Sequence, residues 1–269
     1  MLTNRQLFKR AFQKPQDLKA AQNSSFFRAF LYVIFLSLIL SLPLAKSVFQ
    51  ELNEFQQENQ KIAAEIPAFH LENNQIVLEE DAEGFIYQTD WLNFTFDPEG
   101  KRKKQDVIND FSNNLFSIGI LQDQLVFSAD IGEEYLAILG TNTIELPYSD
   151  SYFQNFDSQH LKATLSQGLS WQFYLLFFAI VLYQAFWQLI WALLLAAVGG
   201  KIYTALRRTP LKFSKIFKTV IYTATLPVLV AAVILLLPIN LDISIFITLV
   251  SMFIFMQVIK PAPPEDLPS

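Results

Sequence analysis

The chain has 269 residues, 52% of them hydrophobic and only 17% charged, with 26 phenylalanines, no cysteine and a net charge of −5. A disulfide framework, a thiolate nucleophile and a cysteine-ligated metal are excluded, and the apolar bias points to an integral membrane protein rather than a soluble one. The charge is also sorted: residues 49–168 hold 21 carboxylates against six cations, a net −15, while the rest of the chain carries +10.

Residues 1–26 form a basic segment, with Arg5, Lys9, Arg10, Lys14 and Lys19 against a single Asp17. Leu7, Phe8, Ala11 and Phe12 fall at helical spacing until Pro15 stops the pattern. Two compatible readings follow. The segment is an amphipathic helix on an anionic inner leaflet, or it is the positive flank that sets orientation. Residues 27–48 are the first apolar span. The run exceeds a signal-peptide core and no A-x-A site follows, so it reads as a retained anchor. Pro43 is expected to kink its outer end, and Lys46 to snorkel to the interface. The amino terminus is then cytoplasmic and residues 49–168 are exported.

The exported region begins with a Gln- and Glu-rich stretch, 50–64, that continues the first helix until Pro67. Strands are expected at 69–71 and 76–78 around an Asn73-Asn74 turn, at 85–89, and at 92–96. In the last of these Leu92, Phe94 and Phe96 share one face and Asn93 and Thr95 the other, the alternation of a half-buried strand. After the turn at Asp97-Pro98-Glu99-Gly100 and a basic patch at 101–104, a helix is expected over 106–116. Strands follow at 117–121, 125–128, 135–139 and 143–146, then a helix over 152–167. The sum is an α+β domain of roughly 100 residues, large enough to hold its own core.

Residues 171–198, WQFYLLFFAIVLYQAFWQLIWALLLAAV, contain 28 residues without one charge. As a helix they would reach about 42 Å, against about 30 Å of bilayer hydrocarbon. Gly199-Gly200 reads as a helix stop. A cytoplasmic loop, 199–218, then carries Lys201, Arg207, Arg208, Lys212, Lys215 and Lys218 and no acid, which agrees with the threading. A third span at 219–238 contains Pro227. A turn at 239–242, a fourth span at 243–259 and a cytoplasmic tail at 260–269 close the chain. The expected fold is an α-helical integral membrane protein with four transmembrane helices, both termini cytoplasmic, and an extracytoplasmic α+β domain between helices 1 and 2.

No catalytic motif emerges. His70 and His160 lack a partner at metal-ligand spacing, and the acidic run Glu79, Glu80, Asp81, Glu83 matches no calcium loop. No cofactor is expected. Asn93-Phe94-Thr95 is a formal glycosylation sequon. Trp91 is the candidate aromatic contact for a sugar, although aromatics in strands are more often core. Gln184 and Gln188, one helical turn apart beside Trp187 and Trp191, are either helix-packing amides or a polar path for a solute. Arg5, Lys9, Arg10, Lys14, Arg207, Arg208, Lys212 and Lys215 are the candidate contacts to anionic lipid, which makes nucleic acid an unexpected partner.

FKRAFQKPQDLKAAQNSSFFRAFLYVIFLSLILSLP, IPAFHLENNQIVLEE, FIYQTDWLNFTFDPEGK and LAAVGGKIYTALRRTPLKFSKIFKTVIYTATLPVL resemble blocks of a bacterial four-span membrane family labelled maltodextrose utilization protein MalA. The second half is also similar to the Yip-type membrane superfamily, through a basic loop leading to Thr225-Leu226-Pro227. The resemblance implies a Gram-positive plasma membrane and a link to maltodextrin use; it assigns no functional residues. Three functions are open: a non-enzymatic membrane protein whose outer domain binds a partner or ligand, an oligomeric pore for a small neutral solute, and an envelope glycosidase. The expected partners are a second membrane protein or further copies of the chain.

Overall fold

A computed structural model describes residues 2–89, 91–110, 116–129, 136, 140–239 and 241–259. The chain is mostly helical and divides into two compact units, Met1–Glu51 with Ser170–Ser269, and Leu52–Leu169.

The described elements of the first unit are all helices. Helix α1 (Asn4–Gln13) starts at a capping box in which Thr3 and Gln6 each bond the other's backbone N–H, the reciprocal arrangement that satisfies two orphan donors. A 3-10 segment, Pro15–Asn23, leads to α2 (Phe26–Glu65), a single 40-residue helix. The helix passes through Pro43 without a break and continues to Glu65. The expected continuation of the helix over 50–64 is present.

Trp171–Leu206 is one 36-residue helix, numbered α5 below. The expected stop at Gly199-Gly200 is not there. Gly200 lies inside the helix, where an added Cβ would meet Phe255 at 2.9 Å and Ile216 at 3.0 Å. The pair lets neighbouring helices approach, as small residues do in membrane bundles. Beyond a six-residue connection come α6 (Phe213–Thr223) and α7 (Thr225–Ile234), which meet at a 42° bend, and α8 (Ile243–Val258). Pro227 offers no N–H to the carbonyl four residues back, which accounts for a bend here.

Two helices, α2 and α5, are long and apolar enough to cross a membrane, or three if α6 and α7 count as one bent span. Helix α8, with 16 residues, is about 24 Å long and falls short of the bilayer core by itself. The expectation of four full-length spans is therefore met for two or three.

The second unit is the α+β module, inserted between the two long helices as expected. A two-residue hairpin joins β1 (Phe69–Glu72) to β2 (Gln75–Leu78). Asn73 and Asn74 both have positive φ, 53° and 64°, which a type I′ turn demands and asparagine tolerates. The main sheet has the order β3 (Phe85–Gln88), β4 (Leu92–Asp97), β5 (Phe116–Leu121), β6 (Gln124–Ala129), β7 (Thr143–Pro147). Strands β4 and β5 are parallel and the other pairings antiparallel. The parallel pair is the reason for the crossover helix α3 (Lys104–Asn109), shorter among the described residues than expected.

Strand β4 is buried at all six positions, not half-buried. Leu92, Phe94 and Phe96 enter a core with Ile62 and Ile66 of α2, while Val107 of α3 covers the other face of the sheet with Leu121 and Val126. Asn93 is 3% exposed, so the sequon cannot take a glycan in the folded module. The helix expected over 152–167 is interrupted. A 3-10 turn, Ser151–Phe153, precedes α4 (Ser158–Ser166), which Asp157 caps. The strand expected over 135–139 lies, apart from residue 136, outside the described residues, as do 111–115 of the expected helix and the tail 260–269.

Candidate functional site

In the helical unit, chain segments distant in sequence are pinned around Tyr222. Its Oη donates to Asn4 Oδ1 at 2.8 Å, and Asn4 Nδ2 donates to the Arg28 carbonyl at 3.0 Å. The Tyr32 ring lies 4.6 Å from that of Tyr222. Thr225 gives its one hydroxyl proton to the Tyr222 carbonyl at 2.7 Å, so Tyr32 is the donor in its 2.7 Å bond to Thr225. Thr225-Leu226-Pro227, the tripeptide that carries the Yip-type resemblance, thus sits at the bend between α6 and α7 and holds it to α2. No spacing rule links Asn4, Tyr32 and Tyr222, which is why sequence reasoning missed them.

The same packing changes the reading of the amino terminus. Leu7 and Ala11 are buried in the protein core with Leu18 and Ala21 of the 3-10 segment. Their partners are α6, α7 and α8, so this apolar face belongs to the protein and not to a leaflet. Only Phe12, 48% exposed, keeps the surface position expected of a lipid contact.

Packing of the 3-10 segment on α6 brings the two basic runs of the sequence together. Lys218 donates to the Ser24 carbonyl at 2.7 Å, and Lys201 to that of Leu211 at 2.8 Å. Arg10 pairs with Asp17 at 3.0 Å, and Arg207 lies over the Tyr203 ring at 5.7 Å. Arg5, Lys9, Lys14, Arg208, Lys212 and Lys215 are exposed and have no acidic partner among the described residues. Of the eight candidate lipid-facing cations, the structure therefore leaves seven exposed on two adjoining segments and ties Arg10 to Asp17.

The intramembrane candidates separate. Gln188 Nε2 donates to Ser244 Oγ at 2.9 Å, so it joins α5 to α8 as a packing amide. Gln184 is exposed, as are Trp187 and Trp191 at 45% and 62%. They face away from the α5–α8 contact.

In the module, the basic patch at 101–104 is a closed structural device. Asp97 accepts from the backbone N–H groups of Lys101 at 3.2 Å and Arg102 at 2.6 Å. Arg102 pairs with Asp110, Lys101 with Glu99, and Lys104 with Glu145 at 3.0 Å. Beside this loop lies a depression of about 350 Å³ whose walls include Phe85, Thr95, Asp97 and Arg102. Trp91, the expected contact residue, packs on Phe55 with ring centroids 4.9 Å apart and is half-buried.

The remaining titratable candidates are in surface pairs. His70 lies 3.5 Å from Glu79. His160 lies 2.8 Å from Asp157, whose carboxyl is held below the usual range by the N–H and ring of His160. Tyr87 donates to Glu58, which also pairs with Lys61 at 2.7 Å; these bonds lower Glu58 and raise Tyr87. Among the described residues no cluster of three or more His, Asp or Glu could hold a metal ion.

No curated protein and no solved structure matches the chain. A family described as "Protein of unknown function (DUF1189)" matches residues 6–259. That match runs from α1 to the end of α8, through both units, and the chain belongs to the DUF1189 family.

Proposed function

We propose that this chain is a non-enzymatic, multi-pass plasma-membrane protein that displays its α+β module outside the cell as a binding module. Four spans and two cytoplasmic termini complete the reading. The observation that carries it is the distribution of unpaired charge. Arg5, Lys9, Lys14, Arg208, Lys212 and Lys215 collect on segments of the helical unit that pack together. In the module, four of six cations, Lys61, Lys101, Arg102 and Lys104, are in ion pairs, so the acidic surface is left in excess. Unpaired cations favour the anionic cytoplasmic leaflet and resist export. Helix α8 is shorter than the bilayer core, and its place as the fourth span rests on the apolar flank before it, where Leu236, Leu237, Ile239 and Leu241 are all exposed.

The depression beside Asp97 and Arg102 is the contact site for the partner, in preference to Trp91. A place in maltodextrin use rests on the resemblance alone. Reporter fusions after Gly100 and after Ser269 test the threading. The first is expected to be active only outside the cell and the second only inside. A cytoplasmic signal at Gly100 overturns the reading, and an external one at Ser269 removes one span. Unchanged maltodextrin uptake after gene deletion removes the sugar link and leaves the threading intact.

A further inference from the structure

Helix α5 carries an outward stripe that no other described element of its own unit covers. Ile180, Gln184, Trp187, Trp191 and Val198 are exposed along it. These positions follow one heptad register, with 184, 191 and 198 at a and 180 and 187 at d. A 3.5-residue repeat is the seam of a left-handed helix pair. The opposite face of the helix, Ala185, Leu189, Ala192 and Ala196, is already buried inside the unit.

Gln184 is the fourteenth of the 28 uncharged residues at 171–198, which puts it near the middle of the apolar run. Gln188, one turn on, bonds Ser244. Gln184 has no hydrogen-bond partner among the described residues. A primary amide directed at hydrocarbon lacks both its donors and its acceptor a partner, and interhelical amide bonds are a recurrent remedy. The amide is donor and acceptor at once, so it is complementary to itself. Copies inserted in one membrane share one orientation, so two α5 helices run parallel. A two-fold axis along the membrane normal then sets Gln184 opposite its own symmetry mate. A shallow, open groove lined by Ile180, Tyr183, Gln184, Trp187 and Gln188 lies along the same stripe.

We propose that α5 pairs with α5 of a second copy of this chain along this stripe, with the two Gln184 amides hydrogen-bonded across the axis. The inference rests on the reading that α5 crosses the bilayer. It replaces a general expectation of oligomers with one face, one register and one polar contact.

The chain has no cysteine, so single-cysteine variants of the full protein report contacts in native membranes without background. On oxidation, Q184C and W191C are expected to cross-link into dimers. Phe253→Cys, exposed to 60% on α8, is not. W191C keeps the amide and so guards against loss of pairing caused by the Q184C substitution itself. In liposomes, energy transfer between labelled copies is expected to show Q184L weakening association about ten-fold, the scale of a buried interhelical hydrogen bond in membranes. Absence of cross-linking at both positions in carbonate-washed membranes, or Q184L associating like the parent, overturns the pairing and assigns the groove to lipid. Labelling of Q184C by a water-soluble maleimide in intact cells overturns the membrane reading of α5 instead.

Discussion

In the helical unit, elements meet through small side chains and hydroxyls. Helix α5 presents Ala185, Ala192, Ala196, Ala197 and Gly200 to its neighbours. The Thr248 and Thr223 hydroxyls donate to the Ser244 and Val220 carbonyls of their own helices at 2.7 and 2.9 Å and lie against the Ala192 and Ser251 carbonyls of the facing helices at 3.3 and 3.2 Å. In the module, layers meet through rings. Phe69 and Phe85 lie 5.6 and 5.8 Å from Phe96, and Tyr148, Phe153 and Phe156 form a second cluster with centroids 5.1 to 5.5 Å apart. The surfaces reverse this order, since Trp171, Tyr183, Trp191, Leu195 and Phe253 are all more than half exposed on the helices. The contrast follows from the solvent each unit is built for. In water, large apolar groups gain free energy by burial. In lipid that gain vanishes between helices, and close approach with hydroxyl or amide bonds takes its place.

The sharpest way to break the comparison is a cavity in the module. Phe94 is 1% exposed on β4, an interior strand of the sheet, against Phe85 at 5.9 Å. Phe94→Ala is expected to destabilise the module by about 3–5 kcal/mol. Native-state hydrogen exchange should show the loss across β3–β6 with no change in protection of α5. Loss of protection in both would mean the two units fold as one.

The converse change fills space. Gly200→Val drives a branched side chain at Phe255 and Ile216, where even one Cβ approaches to 2.9 Å. Overpacking of this kind costs about 1–3 kcal/mol. The thermal midpoint of the purified protein should fall, with the α5–α8 contact losing protection while the module keeps its own. A module equivalent exists at Gly119, where a Cβ would meet Val107 at 2.7 Å.

These glycines show where the sequence was legible. The apolar runs, the Asn73-Asn74 hairpin and the strand at 92–96 follow local rules, because periodicity and positive φ are written in neighbouring residues. Gly200 looked like a stop because a glycine inside a helix and one at its end read alike without the facing helix. Strand β4 looked half-buried because Asn93 and Thr95 are polar, yet both are buried, and Arg102 reaches the Thr95 hydroxyl from the 97–102 loop. The amphipathic pattern of α1 was visible, whereas its choice of protein over lipid depends on Tyr222, some 218 residues away. The paired state of Arg102 and Lys104 is equally non-local.

A smaller effect separates local from tertiary stabilisation. Asp157 caps α4 by accepting from the His160 N–H at 2.8 Å. Asp157→Ala should cost about 1 kcal/mol, and Asp157→Asn much less, since asparagine caps equally well. Protection of Leu161 and its neighbours reads the difference. Equal losses in both variants would assign the stabilisation to the charge of Asp157 rather than to the cap.

The smallest effect is expected from the acid side. Bonds from Lys61 and Tyr87 hold Glu58 below its ordinary pKa. A carboxyl lowered in the folded state binds its proton less readily there than when unfolded. Its contribution is therefore complete above the ordinary glutamate pKa, and is lost as pH falls through the lowered folded value. The pair ties α2 to β3 at a shallow site, where solvent screens much of its strength. Protection of Phe85–Gln88, corrected for intrinsic exchange, should decline over that acid window in the parent. In Glu58→Gln the Glu58 component of that decline should vanish, leaving a flatter curve. Tyr87→Phe should keep a weaker decline, because Lys61 still lowers the carboxyl. Identical acid curves for all three would show that β3 is held by its pairing with β4 alone.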